Sequence, residues 1–377
     1  MKHISVVVKP TLSCNINCRH CYHAVDDRSD EVMSFDTLER LICLSSEYES
    51  VWFIWHGGEP LVLPLKFYKN AIRLQEKYFG KGSHRISNTI QTNGTLIDRK
   101  FINFCKENKI NVGVSSEGPC NGVLREITDD VNRNIKMMKD RGHIFSVNST
   151  ICSDDVSDQM NIYDHFREMG AALSFSPVIR SGSATQDMVP NAGEYAKASI
   201  TVFDKWLYDA EAEMPLMPHL QYIMAVLGEP SESDCAHSSC ITKWLSVYPN
   251  GDVYPCAKGC PSEFMLGNIN DMEKMSDSFR SDALRNILTA SIERRDKCMT
   301  ECKLFEYCGG GCAIDALSEG TTEMNNHTSC KIFKEVFMHI LNVIETILLE
   351  RPDLSHYNKF VREAILGKLL NPKVINY

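Results

Sequence analysis

Short apolar runs rich in β-branched and aromatic residues alternate, along the first half of the chain, with longer stretches of helical period. Residues 4–9, 51–55, 86–91, 111–115, 145–151 and 172–177 read as strands. Helical periodicity covers 35–45, with Ser34 as its N-cap, then 66–78 and regions near 98–107, 131–141 and 157–169. Strands mostly followed by helices predict an α/β fold with a parallel sheet and right-handed crossovers. Periodicity alone leaves an open partial barrel and a doubly wound sheet as alternatives. After about Pro230 the pattern changes. Residues 248–254 read as a hairpin turning at Asn250-Gly251. Gly309, Gly310 and Gly311 mark an irregular, tight backbone, and 332–349 reads as one long helix. The boundary between the two patterns falls between Gly228 and Cys235.

A chain of 377 residues is long enough for one large domain and a smaller one. Its formal net charge of −9 argues against general nucleic-acid binding, which needs a basic surface. No stretch reaches the roughly 18 to 20 apolar residues of a membrane span. The apolar run at 4–8 is too short for a signal sequence. The expectation is a cytoplasmic protein with no nucleic-acid or membrane partner. Against that background the 16 cysteines change the picture. In a reducing compartment, many cysteines at short spacings point to metal.

Cys14, Cys18 and Cys21 stand in C-N-I-N-C-R-H-C directly after the first strand, where α/β folds place their chemistry. Three thiolates bind only three irons of a cubane cluster and leave the fourth open. The competing reading is a zinc site with a distant fourth ligand. The C-x3-C-x2-C spacing, with an aromatic ring before the last cysteine, resembles the cluster motif of the radical S-adenosylmethionine (SAM) superfamily. That resemblance implies a partial (β/α)6 TIM barrel. It also implies a [4Fe–4S] cluster whose open iron is chelated by SAM, and hydrogen abstraction by a 5′-deoxyadenosyl radical. His20 takes the aromatic position near the adenine. Gly57-Gly58-Glu59-Pro60 looks like the family's GGEP motif, which holds the SAM amino group. Gln91-Thr92-Asn93-Gly94 and Ser115-Ser116-Glu117-Gly118-Pro119 resemble two further family segments. They imply that Ser115 contacts the SAM carboxylate or ribose, with Glu117 in place of the usual Asp. Asn148 is a candidate SAM ligand, with a hydrogen-bonded core amide as the alternative. Arg125 and Arg133 are candidates for the arginine that pairs with the SAM carboxylate.

A second block runs Cys235, Cys240, Cys256, Cys298, Cys302, Cys308, Cys312, Cys330. Gly251-x4-Cys256 followed by C-x3-C-x5-C-x3-C and a last cysteine resembles the SPASM domain, which holds two auxiliary [4Fe–4S] clusters. The family's first gap in this block is usually two residues, and here Met299-Thr300-Glu301 makes it three. The resemblance assigns Cys235, Cys240, Cys256 and Cys312 to an inner cluster, and Cys298, Cys302, Cys308 and Cys330 to an outer one. Zinc ribbons are the competing reading. Of the remaining cysteines, Cys43, Cys105 and Cys152 fit small buried residues. Cys120 and Cys260 sit in loops, as a stray ligand or an active thiol. The expected division is a radical SAM barrel over 1–230, a SPASM domain over 231–335 and a helical segment over 336–377.

The resemblance is to anaerobic sulfatase maturases and to maturases of ribosomally made peptides. It implies a peptide or protein substrate and an external flavodoxin- or ferredoxin-type electron donor. Sulfatase maturases carry an Asp after the cysteine matching Cys256, proposed to deprotonate the substrate. Here that residue is Ala257, which takes no proton. Asp252 and Glu301 are the possible substitutes. The sequence therefore favours intramolecular crosslinking of a precursor peptide, a carbon–aromatic cyclophane ahead of a thioether. Formylglycine generation is the alternative, and a zinc-stabilised binding module is the alternative of another class. With Cys14 so near the first residue there is little room for a leader-binding winged helix, so the leader is expected on the barrel, on the SPASM surface or on a separate protein.

Overall fold

The computed structural model describes residues 3–23, 30–125, 129–229, 240–258, 262–320 and 327–370. Seven parallel strands follow in spatial order β1 (His3–Val8), β2 (Ser50–Trp55), β3 (Ile86–Thr92), β4 (Asn111–Ser115), β5 (Phe145–Ile151), β6 (Ala172–Pro177) and β7 (Leu216–Met217). Six of these are the strands expected from periodicity. β7, two residues long, extends the sheet past β6 and is too short to leave a periodic signal.

The helices between the strands start on side-chain caps. Ser34 accepts from the Thr37 amide at 3.0 Å, Asp98 from Phe101 at 2.7 Å, and Asn191 from Gly193 at 3.0 Å. Burial shows how the sheet divides its faces. β1 is buried over Ile4–Val8 on both sides, as expected of a covered central strand. β5 alternates, with Phe145, Val147, Ser149 and Ile151 buried under the helices and Ser146, Asn148 and Thr150 on the other face. The helical layer takes the apolar positions, and the concave side is left polar.

The cysteine-rich half is not a separate lobe. β8 (Trp244–Val247) pairs in parallel with β1, and β9 (Asp252–Tyr254) and β10 (Gly267–Asn268) continue antiparallel from it. The whole forms a ten-stranded sheet in the order β10-β9-β8-β1-β2-β3-β4-β5-β6-β7. The hairpin differs from its expectation. Ser246 pairs with Tyr254 and Val247 with Val253, and the Tyr248 amide donates to Asp252 O at 2.9 Å. Three residues therefore form the loop, with Gly251 at positive φ, where a two-residue turn was expected. The long helix spans Thr328–Glu350, so the division expected after residue 335 falls inside one continuous element. It packs on the helices Ala192–Leu207 and His219–Val226, with Tyr222 against Phe333 and Phe337. One connected core runs from Ile4 to Ile365. The expected boundary before Cys235 and the residue itself lie outside the described residues. Among those described, no helix is long and apolar enough to cross a membrane.

Candidate active site

A cavity of about 540 Å³ opens at the C-terminal ends of the parallel strands. Its wall is built loop by loop. The segment after β1 contributes Cys14, Cys18, His20, Cys21, Tyr22 and His23, and the segment after β2 contributes His56, Gly57 and Gly58. Gln91 to Asn93 come from β3, Ser115 from β4, and Asn148 and Thr150 from β5. Cys240, Cys256, Ala257, Lys258 and Cys312 close it from the cysteine-rich half. The two cysteine blocks thus face one space.

The GGEP loop lies across the cysteine loop. Gly58 N donates to Thr11 O at 3.1 Å and Glu59 N to Ser13 O at 2.9 Å. A β-carbon at Gly57 would sit 2.2 Å from Thr11 O, and one at Gly58 would sit 2.3 Å from the carbonyl oxygens of Leu12 and Ser13. Glycine is required here by backbone crossing backbone. Glu59, expected as a cofactor contact, is fully buried and does not line the cavity. Its carboxylate accepts from Leu61 N (2.8 Å), Thr92 Oγ1 (2.8 Å) and Asn93 N (2.7 Å), tying the second loop to the third. Burial raises its pKa to about 7 despite these donors.

Ser115 and Asn148 belong to a polar belt. Gln91 donates to Ser115 Oγ at 2.9 Å and accepts from Asn148 Nδ2 at 2.9 Å. The last bond passes over β4 at Gly113, where a β-carbon would fall 2.1 Å from Gln91 Oε1. Of the two candidate arginines, Arg125 reaches the cavity. It is held by Glu117 (2.8 and 3.2 Å), which is itself fully buried, and it lies 3.6 Å from Cys18 Sγ and 3.3 Å from His20 Nε2. Arg133 is exposed on the helix Asp129–Asp140 and pairs with Asp130. The SSEGP segment gave no warning that its Glu would anchor an arginine eight positions later.

The charges of the lining are compensated from behind it, Arg125 by Glu117 and Lys258 by Asp315. Among the described residues it contains Arg125 and Lys258 but no Asp or Glu. Asp252 is engaged with Asn250 and Asn268 in the hairpin, and Glu301 is exposed at the end of its helix, so neither substitutes for the residue missing at Ala257. The three histidines already use a ring lone pair. His56 Nδ1 accepts from the Gly57 amide (2.9 Å), His23 Nε2 from the Lys9 ammonium (3.3 Å) and His20 Nε2 from Arg125 (3.3 Å). Amide, ammonium and guanidinium can only donate, which makes these nitrogens acceptors, although His56 Nδ1 also stands 3.3 Å from Gly57 O and 3.0 Å from Tyr22 Oη. Burial, aided by Lys9, lowers the His56 pKa to about 4, and burial with Arg125 lowers that of His20 to about 3. His56 and His20 are neutral rings whose remaining nitrogen is an N–H.

Cys298, Cys302, Cys308 and Cys330 form a second group: Cys298 feels the charge of Cys302 and Cys308, Cys308 that of Cys302, and Cys330 that of the other three. Cys308 and Cys330 face a second cavity of about 530 Å³. Among the described residues no three Cys, His, Asp or Glu side chains converge on a single ion. A zinc ion draws four ligands to about 2.3 Å from one point, whereas a cubane spreads its thiolates over separate irons. Burial raises the thiol pKa of Cys105 to about 12 and those of Cys120 and Cys152 to about 11, so these are not reactive thiolates. Cys260 lies outside the described residues.

Family models match residues 8–163 as the radical SAM superfamily and residues 235–309 as SPASM, an iron–sulfur cluster-binding domain. The chain is a radical SAM enzyme with a C-terminal SPASM domain. Its cofactors are SAM, a SAM-binding [4Fe–4S] cluster and auxiliary clusters. The cysteine-type anaerobic sulfatase-maturating enzyme of Clostridium perfringens is 28% identical over 92% of this radical SAM enzyme and 100% of the relative. A serine-type enzyme of Bacteroides thetaiotaomicron is 26% identical, over 90% of each chain. The solved structure of native anSMEcpe with bound AdoMet and Kp18Cys peptide superposes with a TM-score of 0.78 at 25% identity, over 92% of this chain and all of that one. The radical SAM enzyme is accordingly a maturase of the SPASM type, and sulfatase maturation is better supported than the crosslinking favoured by the sequence.

Proposed function

We propose that this maturase oxidises a cysteine side chain of a peptide or protein substrate to formylglycine. End-to-end likeness to sulfatase-maturating enzymes supports the reaction class. The observation that favours cysteine is a cavity with no carboxylate among its described lining residues, its two cations, Arg125 and Lys258, each being paired behind the wall with a buried carboxylate, Glu117 and Asp315. A thiol has a pKa near 8.5 and ionises readily beside cations. A thiolate CH2–S unit that gives up one hydrogen atom and one electron becomes a thioaldehyde with no proton left over, and water then releases hydrogen sulfide and the aldehyde. A serine hydroxyl keeps its proton and needs a base to remove it. Ala257 therefore fits a substrate that arrives already ionised.

Cys14, Cys18 and Cys21 would hold the SAM-binding cluster, which supplies one-electron cleavage of SAM and hydrogen abstraction. Arg125, fixed by Glu117, offers its cation to the SAM carboxylate. The Asn148–Gln91–Ser115 belt presents a rigid polar floor for the nucleoside. Gly57 and Gly58 keep the second loop pressed on the cysteine loop and exclude water from behind it. The His56 N–H and the Lys258 ammonium, which Asp315 also holds, are offered to the substrate sulfur. Cys235, Cys240, Cys256 and Cys312 would hold the inner auxiliary cluster, and Cys298, Cys302, Cys308 and Cys330 the outer one. An external flavodoxin- or ferredoxin-type donor supplies the priming electron.

The test uses anaerobically reconstituted enzyme, SAM, a reductant and two sulfatase-motif peptides that differ only in Cys or Ser. Mass spectrometry should find the aldehyde from the Cys peptide at least tenfold faster than from the Ser peptide. Equal rates would contradict the thiolate argument. Loss of two hydrogens without an aldehyde would replace this reading with thioether crosslinking.

A further inference from the structure

The helix Asp282–Glu301 buries Leu284, Ile287, Ser291, Arg294 and Cys298, positions spaced alternately by three and four along one face. An arginine does not belong on such a face unless an anion meets it. Arg294 is 2% exposed. One guanidinium nitrogen, Nη1, donates to the Gly310 carbonyl, and Nη2 has no partner. No carboxylate pairs with it among the described residues. His327 stands beside it, 1% exposed, with both ring nitrogens unpartnered. The two side chains converge on Gly311, where a β-carbon would lie 3.4 Å from His327 Nε2 and 3.7 Å from Arg294 Nη1. Cys298 and Cys308 lie within reach of the Arg294 charge, and Cys308 and Cys330 line one cavity with His327 and Gly311.

A buried cation with an unpartnered donor and two orphaned imidazole nitrogens, beside Cys298, Cys308 and Cys330, imply a missing anion. We infer that Arg294 and His327 are positioning residues for the iron–sulfur cluster held by Cys298, Cys302, Cys308 and Cys330, neutralising its charge and raising its reduction potential. The inference rests on the outer-cluster assignment proposed above. A cubane held by four thiolates is a dianion when oxidised and gains a further negative charge on reduction. A fixed positive charge and N–H donors stabilise the reduced form more than the oxidised one. The consequence is directional. In the proposed oxidation one electron leaves the substrate with no proton attached, and a cluster of raised potential is suited to receive it.

The experiment is an anaerobic potentiometric titration, followed by electron paramagnetic resonance and iron analysis, of wild-type enzyme, Arg294→Met, Arg294→Lys and His327→Phe. Arg294→Met should lower the equilibrium constant for reduction of one auxiliary cluster at least tenfold, about 59 mV for one electron. Arg294→Lys, which keeps the charge, should recover most of that loss, and His327→Phe should give a smaller shift in the same direction. Arg294→Met that loses one cluster's iron, with Arg294→Lys retaining it, supports the same conclusion through assembly. Unchanged potentials in fully loaded Arg294→Met would overturn the role of Arg294 alone. Equal iron loss in Arg294→Met and Arg294→Lys would overturn it too, reducing Arg294 to a clamp on the Gly310 turn. Wild-type enzyme without an outer cluster's iron would overturn the cysteine assignment beneath it.

Discussion

At the scale of single residues, the crossing of the GGEP and cysteine loops leaves no volume for a side chain at position 58. Gly58→Ala must displace the backbone of Leu12 and Ser13, a strain of about 1–3 kcal/mol placed directly beside Cys14. Its expected effect is loss of the SAM-cluster iron with retention of the other clusters, read by iron analysis. Full iron and normal SAM cleavage would contradict the packing argument. Glu117→Ala is the electrostatic counterpart. It leaves the buried Arg125 without its carboxylate and should destabilise the protein by about 3–5 kcal/mol in denaturant unfolding. Glu117→Ala combined with Arg125→Met should recover part of that loss, because the uncompensated charge is gone. The cysteine, GGEP and SSEGP segments were legible because their spacing is local. The inward burial of Glu59, the selection of Arg125 over Arg133 and the remoteness of Asp252 and Glu301 were not, because each depends on which way a side chain turns after its loop is packed.

At the scale of elements, the strands of the parallel sheet were readable from apolar runs and their polar boundaries, and β4, β5 and β6 have the extents that periodicity gave. What periodicity could not carry is pairing across long sequence distance. The hairpin was expected over 248–254, whereas its first strand, β8, lies before that range at Trp244–Val247 and pairs on its other side with β1. Ser5 N donates to Lys243 O and Lys9 N to Val247 O, each at 2.8 Å. The cysteine-rich half thus covers an edge that the barrel would otherwise expose. A fragment ending at residue 229 should therefore run as aggregate in size-exclusion chromatography. A monodisperse, soluble fragment would show that β8 is dispensable to the barrel.

At the scale of the whole molecule, one core and one sheet join the two cysteine blocks, so the first block and Cys240, Cys256 and Cys312 open onto the same cavity. This explains why reading each motif in isolation left zinc open as a competitor, whereas their shared wall favours clusters working on one substrate. The proposal of cysteine oxidation over crosslinking rests on the sulfatase-maturating relatives and on the same cavity. Ala257 reads as a lost base, and no carboxylate among the described lining residues takes its place, so the proposed substrate is one that needs no base. The most direct test of the account is the iron and sulfide content of the anaerobically reconstituted enzyme, together with 5′-deoxyadenosine release. Three clusters require about twelve irons per chain, falling to about eight with all SAM cleavage lost when Cys14, Cys18 and Cys21 are replaced by Ala. Bound zinc in place of iron, or SAM cleavage that survives the replacement of these cysteines, would contradict it.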